Sequence, residues 1–378
     1  MKVLLTAPPD THAAYRQMVA APPDGVEYLC PRATRGSAAA ARGAARLIFG
    51  TLRLPNLRLM VSSPTRIDVV HSCQHLLLTR LPWVVDIEHG QPFVGIRFSR
   101  LRSALTRAAV LTILRSERCR AILPWTETAF KAFVATFGSD RHVLDKTRVI
   151  YPAVAASEMR QGSPADACRL LFVSNNPAYN AVLKGGRELV EAFDLLRRRH
   201  PTLSLTIVGP TPPLFEERCR SIPGIVLTGR LSPERVHECY RAADIYVMPS
   251  FSDTFGMVYL EAMANGLPVV ALDRPYTREI VRDGETGLLL PMTSHSLRWF
   301  GADGRFTMDS DRFIGRLLST EPDPELVRSL CEVVDRLVAD AALRRRLSAA
   351  AHAEVRVGRF SVTERKRALF AAYSARRG

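Results

Sequence analysis

What most constrains this chain is a rhythm that occurs twice: a short apolar run, a helix-length stretch, then the next apolar run. Runs at 3–5, 69–70, 83–87, 121–123 and 149–150 each lead into polar or helix-patterned sequence. Short unbroken apolar runs mark strands buried on both faces, and intervening helices make successive strands parallel. Residues 154–167, VAASEMRQGSPADA, are polar and carry Gly and Pro, as interdomain linkers do. The rhythm then restarts, with strands predicted at 170–173, 203–208, 224–227, 245–248 and 269–271 and helices such as 186–199 and 233–242 between them. The predicted fold class is α/β, with two doubly wound, Rossmann-like domains facing a cleft. A length of 378 residues accommodates both. One domain is expected over 1–155 and a second over 156–359, interrupted by an irregular insertion at 293–321. Helices are expected at 324–339 and 342–357, and a last one within 360–378 that crosses back to the first domain.

Charge is unevenly spread. Lys plus Arg number 52 against 37 Asp plus Glu, a net charge of +15, and residues 1–155 hold 21 basic against 10 acidic side chains. This asymmetry points to an anionic partner for the first domain, whether a lipid surface, a nucleic acid or an acidic substrate. No nucleic-acid motif or basic-aromatic interleaving is present, so no specific nucleic acid is expected. In 97–120, at about 100° per residue, Arg97, Arg100, Arg107, Arg115 and Arg118 fall within about 80° of one another. Leu101, Leu105, Ala109 and Ile113 occupy a neighbouring face, which predicts a basic amphipathic helix suited to an anionic membrane surface. The seven cysteines are odd in number and form no CxxC pair, which fits a reduced compartment. With too short an apolar run for a signal peptide at the start and no apolar stretch of about 20 residues, the expected location is cytoplasmic, peripheral at the inner face of the membrane.

The chemistry concentrates in 243–271, ADIYVMPSFSDTFGMVYLEAMANGLPVVA, which reads as strand, loop, helix, strand. Gly266 would end the helix at its C-terminal turn. The free amides of Gly256, Met257 and Val258 would open that helix at the carboxyl end of a parallel strand, a ready site for an anion such as a diphosphate. Asp253 in the loop and Glu261 in the helix would add carboxylates suited to sugar or ribose hydroxyls, since an ionised carboxylate only accepts hydrogen bonds.

This stretch resembles the retaining GT-B glycosyltransferases of family 4, whose Glu-x7-Glu motif precedes an AxAxGxPVV-like run. Here it stands as Asp253-x7-Glu261 followed by AMANGLPVV. The resemblance continues through FVSNNPAYNAVLKGG, LTIVGP, VLTGRLSPERVHECYRAADIYVMPS and EIVRDGETGLLLP, and more loosely through KTRVIYPAV and VVDIEHG in the first domain. It implies that Glu261 binds the nucleotide ribose, that Asp253 faces a hydroxyl of the donor sugar, and that Lys184 of the Lys184-Gly185 pair holds the diphosphate. Lys184 is one of five lysines among 47 arginines, which sets it apart from the general surface charge. Thr254, Arg230 and Leu231 complete the implied donor contacts. His89, emerging after the run 83–87, is implied to approach the donor sugar near the reacting carbon. Glu88 beside it would orient it or help accept the acceptor's proton, and His71 and His75 are the other histidines that follow a strand.

Two departures stand out. Asp253 replaces the family's Glu, one methylene longer, and Ala178 and Tyr179 occupy the spacing where the family places an Arg. Asn175, Asn176 or Arg230 would then stand in for that cation. No HxxxH, DxD or Cys/His cluster has metal spacing, so neither metal nor cofactor is expected beyond the nucleotide-diphosphate sugar. The implied reaction is transfer of a sugar to an acceptor hydroxyl, with retention by front-face displacement. The acceptor is a lipid-linked or other hydroxyl in glycolipid, polysaccharide or natural-product synthesis. The alternatives are a sugar-nucleotide epimerase of the same fold and a non-catalytic module that binds anionic surfaces.

Overall fold

The computed structural model describes residues 1–8, 11–30, 57–59, 66–88, 93, 101, 103–159, 168–175, 178–251, 253, 255–293 and 310–375. The chain divides into two compact units, Met1–Ala153 with Val362–Gly378, and Val154–Ser361.

In the first unit β1 (Lys2–Leu5), β2 (Glu27–Leu29), β4 (Val69–Ser72), β6 (Trp83–Ile87) and β7 (Cys119–Pro124) form a parallel sheet in the order β2-β1-β4-β6-β7. The chain lays β2 on one side of β1 and then moves to the other side for β4, so the order reverses between β1 and β4. A separate parallel pair joins β3 (Leu57–Leu59) to β5 (Leu76–Leu78). Every side chain of β4 and β6 is buried, as expected of central strands covered on both faces. Helices Ala104–Arg115 and Glu127–Phe137 place Val110, Leu114, Phe133 and Phe137 in the same core as Val70, Trp83, Val85 and Ile122. Thr126 caps the second of them by accepting from Ala129 N at 2.8 Å.

Two expectations for this unit are corrected. Residues 149–150 are not a strand: the segment follows the edge of β7 through a single bridge, Ile122 to Thr147, and hydrogen bonds such as Ile150 N to Pro124 O at 2.9 Å. The basic helix is shorter than 97–120. It runs Ala104–Arg115, started by the Ser103 cap, with Arg118 in the following turn and Arg120 on β7; Arg97 and Arg100 lie outside the described residues. Arg115 pairs with Asp140 at 2.6 Å, Arg107 donates to Leu101 O at 2.6 Å and Arg120 to Tyr373 O at 3.1 Å, so these three guanidinium groups face internal partners.

Helix Val362–Ser374 also belongs to the first unit. Buried His71 meets the Tyr373 hydroxyl through Nδ1 at 2.7 Å, and its Nε2 lies 3.0 Å from Asp86 Oδ2. Tyr28 shares the Tyr373 hydroxyl at 3.0 Å, and buried Arg365 donates to Ala14 O at 3.2 Å. His71 is thus an internal strand residue that anchors a helix, and His75 turns its Nδ1 to the Cys73 carbonyl.

The second unit carries a six-stranded parallel sheet built from β8 (Arg169–Val173), β9 (Ser204–Val208), β10 (Ile225–Gly229), β11 (Ile245–Met248), β12 (Val269–Leu272) and β13 (Gly287–Leu290). Its order is β10-β9-β8-β11-β12-β13, reversing between β8 and β11. Helix Pro324–Ala339 packs on Gly186–Arg199, and Ala341–Arg356 packs on Met257–Ala264. Within the stretch read as an irregular insertion, helix Ser310–Ser319 is formed, and Arg187 ties its end down by donating to Leu317 O and Thr320 O, each at 2.7 Å. Residues 294–309 lie outside the described residues. All seven cysteines are free thiols. No helix among the described residues is long and apolar enough to cross a membrane.

Candidate functional site

In open parallel sheets, ligands sit beyond the carboxyl ends of the strands where the strand order reverses. In the second unit this places the site after β8 and β11. Beyond β8 the chain passes Ser174 and Asn175, makes the short helix Asn180–Leu183, and turns through Lys184 and Gly185 into Gly186–Arg199. Asn180 Nδ2 donates to Asn175 Oδ1 at 2.7 Å, while the buried Ser174 Oγ has no hydrogen-bond partner among the described residues. Beyond β11 come Pro249, Ser250, Phe251 and Asp253, then Phe255 and Gly256 before Met257–Ala264. Phe251 N donates to Leu183 O at 3.1 Å, which joins the two loops.

Lys184 Nζ donates to Asp253 Oδ2 at 2.6 Å, with the two side chains 13% and 14% exposed. So shielded a pair interacts more strongly than a surface ion pair, yet each group still reaches the surface. The approach of the loops depends on Gly185. At φ +78°, a Cβ there would lie 2.4 Å from Pro249 O, so a side chain would push the Lys184 turn off the Asp253 loop.

Helix Met257–Ala264 is buried nearly all round, with Val258 and Glu261 on its partly exposed face. Gly256 at φ +89° opens it, since a Cβ would meet the Tyr259 ring at 2.5 Å. Glu261 Oε2 accepts from the hydroxyl of buried Tyr240 at 3.1 Å, a hydroxyl also 3.4 Å from Val258 O. Burial first, and then the Glu261 carboxylate, push the Tyr240 hydroxyl well above its ordinary pKa, so it stays a proton donor. Behind the Asp253 loop, buried Arg274 donates through Nη1 to Phe251 O and stacks 5.3 Å from the Tyr276 ring centre. Its pKa is lowered by burial and supported by Tyr276, Tyr259 and Asp253.

The structure therefore brings Lys184, Asp253, Gly256, Met257, Val258 and Glu261 to one end of one sheet. Arg230 and Leu231 follow β10, the edge strand two places from β8. Thr254, Asn176 and His89 lie outside the described residues. Glu88, which closes β6, is engaged by Gln74 and His12. Sequence reasoning missed Tyr240 and Arg274. The only sequence trace of Arg274 is its place before Pro275 at the end of a strand. Among the described residues, no group of three His, Cys, Asp or Glu side chains has the arrangement to hold a metal ion.

Residues 167–297, which span this whole site, match the family described as glycosyl transferases group 1. This stretch of the chain is thus similar to a group 1 glycosyltransferase domain. It is 33% identical over 231 residues to the D-inositol 3-phosphate glycosyltransferase of Acidothermus cellulolyticus, covering 54% of this chain and 46% of the relative. To the enzyme of the same name from Nocardia farcinica it is 30% identical over 278 residues, 66% of this chain and 60% of the relative. The aligned regions thus span about half to three-fifths of these relatives. In fold, the chain is similar to Anabaena HepE, solved in complex with UDP-glucose, at a TM-score of 0.63 and 16% identity over 99% of both chains. Sucrose-phosphate synthase from Thermosynechococcus elongatus gives 0.60 at 16% identity, over 98% of this chain and 99% of the other. The α/β class with two Rossmann-like units is that of the GT-B glycosyltransferases.

Proposed function

We propose that this group 1 glycosyltransferase moves a sugar from a nucleotide-diphosphate donor to an acceptor hydroxyl, with retention at the anomeric carbon and without a metal ion. The observation that carries the reading is the Lys184–Asp253 pair at the point where the strand order of the second unit reverses, beside the N-terminus of Met257–Ala264. A diphosphate arriving there competes with Asp253 for the ammonium group. Lys184 then passes to the phosphates, and Asp253 is released to accept from a hydroxyl of the sugar. Glu261, held by Tyr240, accepts from the ribose. As the glycosidic bond breaks, negative charge grows on the leaving phosphate, and Lys184 with the amides of Gly256, Met257 and Val258 stabilises it more in the transition state than in the ground state. Front-face attack by the acceptor requires no covalent nucleophile. In this reading the first unit receives the acceptor.

A lipid-linked acceptor and an anionic membrane surface are not part of this reading; of the basic stripe, Arg107 and Arg115 have partners within the first unit. The test is a thermal-shift screen of UDP-, GDP- and dTDP-sugars, followed by assay of nucleotide release. One donor at about 100 times its Kd should stabilise the protein by about 2.7 kcal/mol. Turnover should persist in excess EDTA, whereas loss of turnover restored by Mg²⁺ would overturn the metal-free mechanism. Interconversion of the donor with its epimer, without transfer, would favour the epimerase instead.

A further inference from the structure

The first unit has its own point of strand-order reversal, between β1 and β4, and the loops after β1 and β4 both reach one carboxylate there. Glu88 directly follows β6. His12 follows β1 and caps helix Ala13–Ala20, its Nδ1 accepting from Ala14 N at 3.1 Å. The proton of the neutral ring therefore sits on Nε2, which lies 3.6 Å from Glu88 Oε1. Gln74 follows β4 at φ +65°, a conformation rarely held by a residue with a side chain, and donates Nε2 to Glu88 Oε2 at 3.1 Å. Trp125, after β7, packs on His12 with ring centres 5.0 Å apart. The Glu88 side chain is 11% exposed.

A second observation comes from Tyr15, whose ring lies 6.0 Å from those of both His12 and Trp125. Tyr15 is 3% exposed, and its hydroxyl has no partner in hydrogen-bond geometry among the described residues. Burial raises its pKa, and Asp86, Cys73 and Glu88 raise it further, while buried Arg365 acts on the same hydroxyl.

We infer that Glu88, held by His12 and Gln74, is the acceptor-binding group of this enzyme and that it selects an uncharged polyol, a sugar or cyclitol, over a phosphorylated one. The inference rests on the transferase reading above. A carboxylate offers about four lone-pair sites and no proton, so a pair of neighbouring hydroxyls satisfies it. A phosphate in the same place would instead meet the like charges of Glu88 and of Asp86 two residues earlier.

The experiment measures transfer by the full chain, using the donor selected in the screen, to two matched pairs: myo-inositol against D-inositol 3-phosphate, and glucose against glucose 6-phosphate. The neutral member of at least one pair is expected to be ten times the better acceptor in kcat/KM. Glu88→Gln should raise the KM for that acceptor about tenfold and leave nucleotide affinity unchanged. His12→Asn, which keeps a cap for the helix, should raise it less. Preference for the phosphorylated members, an unchanged KM in Glu88→Gln, or donor hydrolysis with transfer to none of the four would overturn the inference. Failure to bind any nucleotide would overturn the transferase reading itself, and this inference with it.

Discussion

Replacing Gly185 by Ala tests whether the contact between the Lys184 turn and the Pro249 carbonyl builds the site. Two terms add. An L-residue held in the left-handed region costs about 1–2 kcal/mol. The new Cβ, 2.4 Å from Pro249 O and 2.7 Å from Pro249 Cγ, must also displace the loop, and overpacking of this kind costs about 1–3 kcal/mol. Gly284 provides the control in the same unit: its φ is +71°, but a Cβ there meets nothing within 4 Å, so only the first term applies. At about 3 °C per kcal/mol for a unit of this size, Gly185→Ala should lower the unfolding midpoint by about 10 °C and Gly284→Ala by about 5 °C. Scanning calorimetry of the two variants beside the wild type measures this. Titration with the nucleoside diphosphate of the screened donor should show at least a tenfold weaker affinity in Gly185→Ala alone. Equal midpoint shifts, or equal nucleotide affinities, would refute the claim that this close approach sets the position of Lys184.

Tyr240→Phe removes the donor to Glu261 and should weaken nucleotide binding about tenfold while kcat changes little; a fall in kcat at unchanged affinity would mean that Glu261 does not act on the ribose. Glu188, buried beside Arg187 and Asp323, is pushed up to about 7 by loss of solvation, so the folded unit holds its proton more tightly than the unfolded chain does. Its contribution to stability is therefore complete below its ordinary value of 4.5 and is lost as the pH rises through 7. The second unit should unfold at a lower temperature at pH 8 than at pH 5, and Glu188→Gln should flatten that slope; an unchanged slope would assign it to other groups. Tyr373→Phe leaves the buried His71 Nδ1 without its partner and should cost about 1 kcal/mol in urea unfolding. An unchanged stability would mean that this hydrogen bond does not anchor the C-terminal helix.

The central strands were legible because burial on both faces leaves them as nearly continuous apolar runs, as in 83–87, broken only by Asp86, and 245–248. β2 was missed: it is a three-residue edge strand whose first residue, Glu27, faces solvent. β13 was missed because the preceding helix, Pro275–Ile280, has only six residues and does not produce the helix-length spacing that marked the other strands. Asp253 and Glu261 could be named because they lie in a local strand-loop-helix pattern, and Lys184 because the Lys184-Gly185 pair resembles the family's motif. Tyr240 and Arg274 could not, since their roles arise from folding. Tyr240 meets a carboxylate on another helix, and Arg274 is one of 47 arginines until burial singles it out. The same holds for His12 and Gln74, which reach Glu88 from separate loops. The predicted membrane-facing stripe shows the converse, because helical spacing alone gave no sign that Arg107 and Arg115 find acceptors within the unit.

The most direct test of the donor site is calorimetric titration of the nucleoside diphosphate of the screened donor into the wild type and into Lys184→Ala and Asp253→Asn. Lys184→Ala removes the cation that the diphosphate takes over and should bind it at least tenfold more weakly. Asp253→Asn removes the competitor for that cation and should bind it as tightly as the wild type or more tightly, while losing sugar transfer. Weaker binding in Asp253→Asn, or undiminished binding in Lys184→Ala, would contradict the handover of Lys184 from Asp253 to the diphosphate.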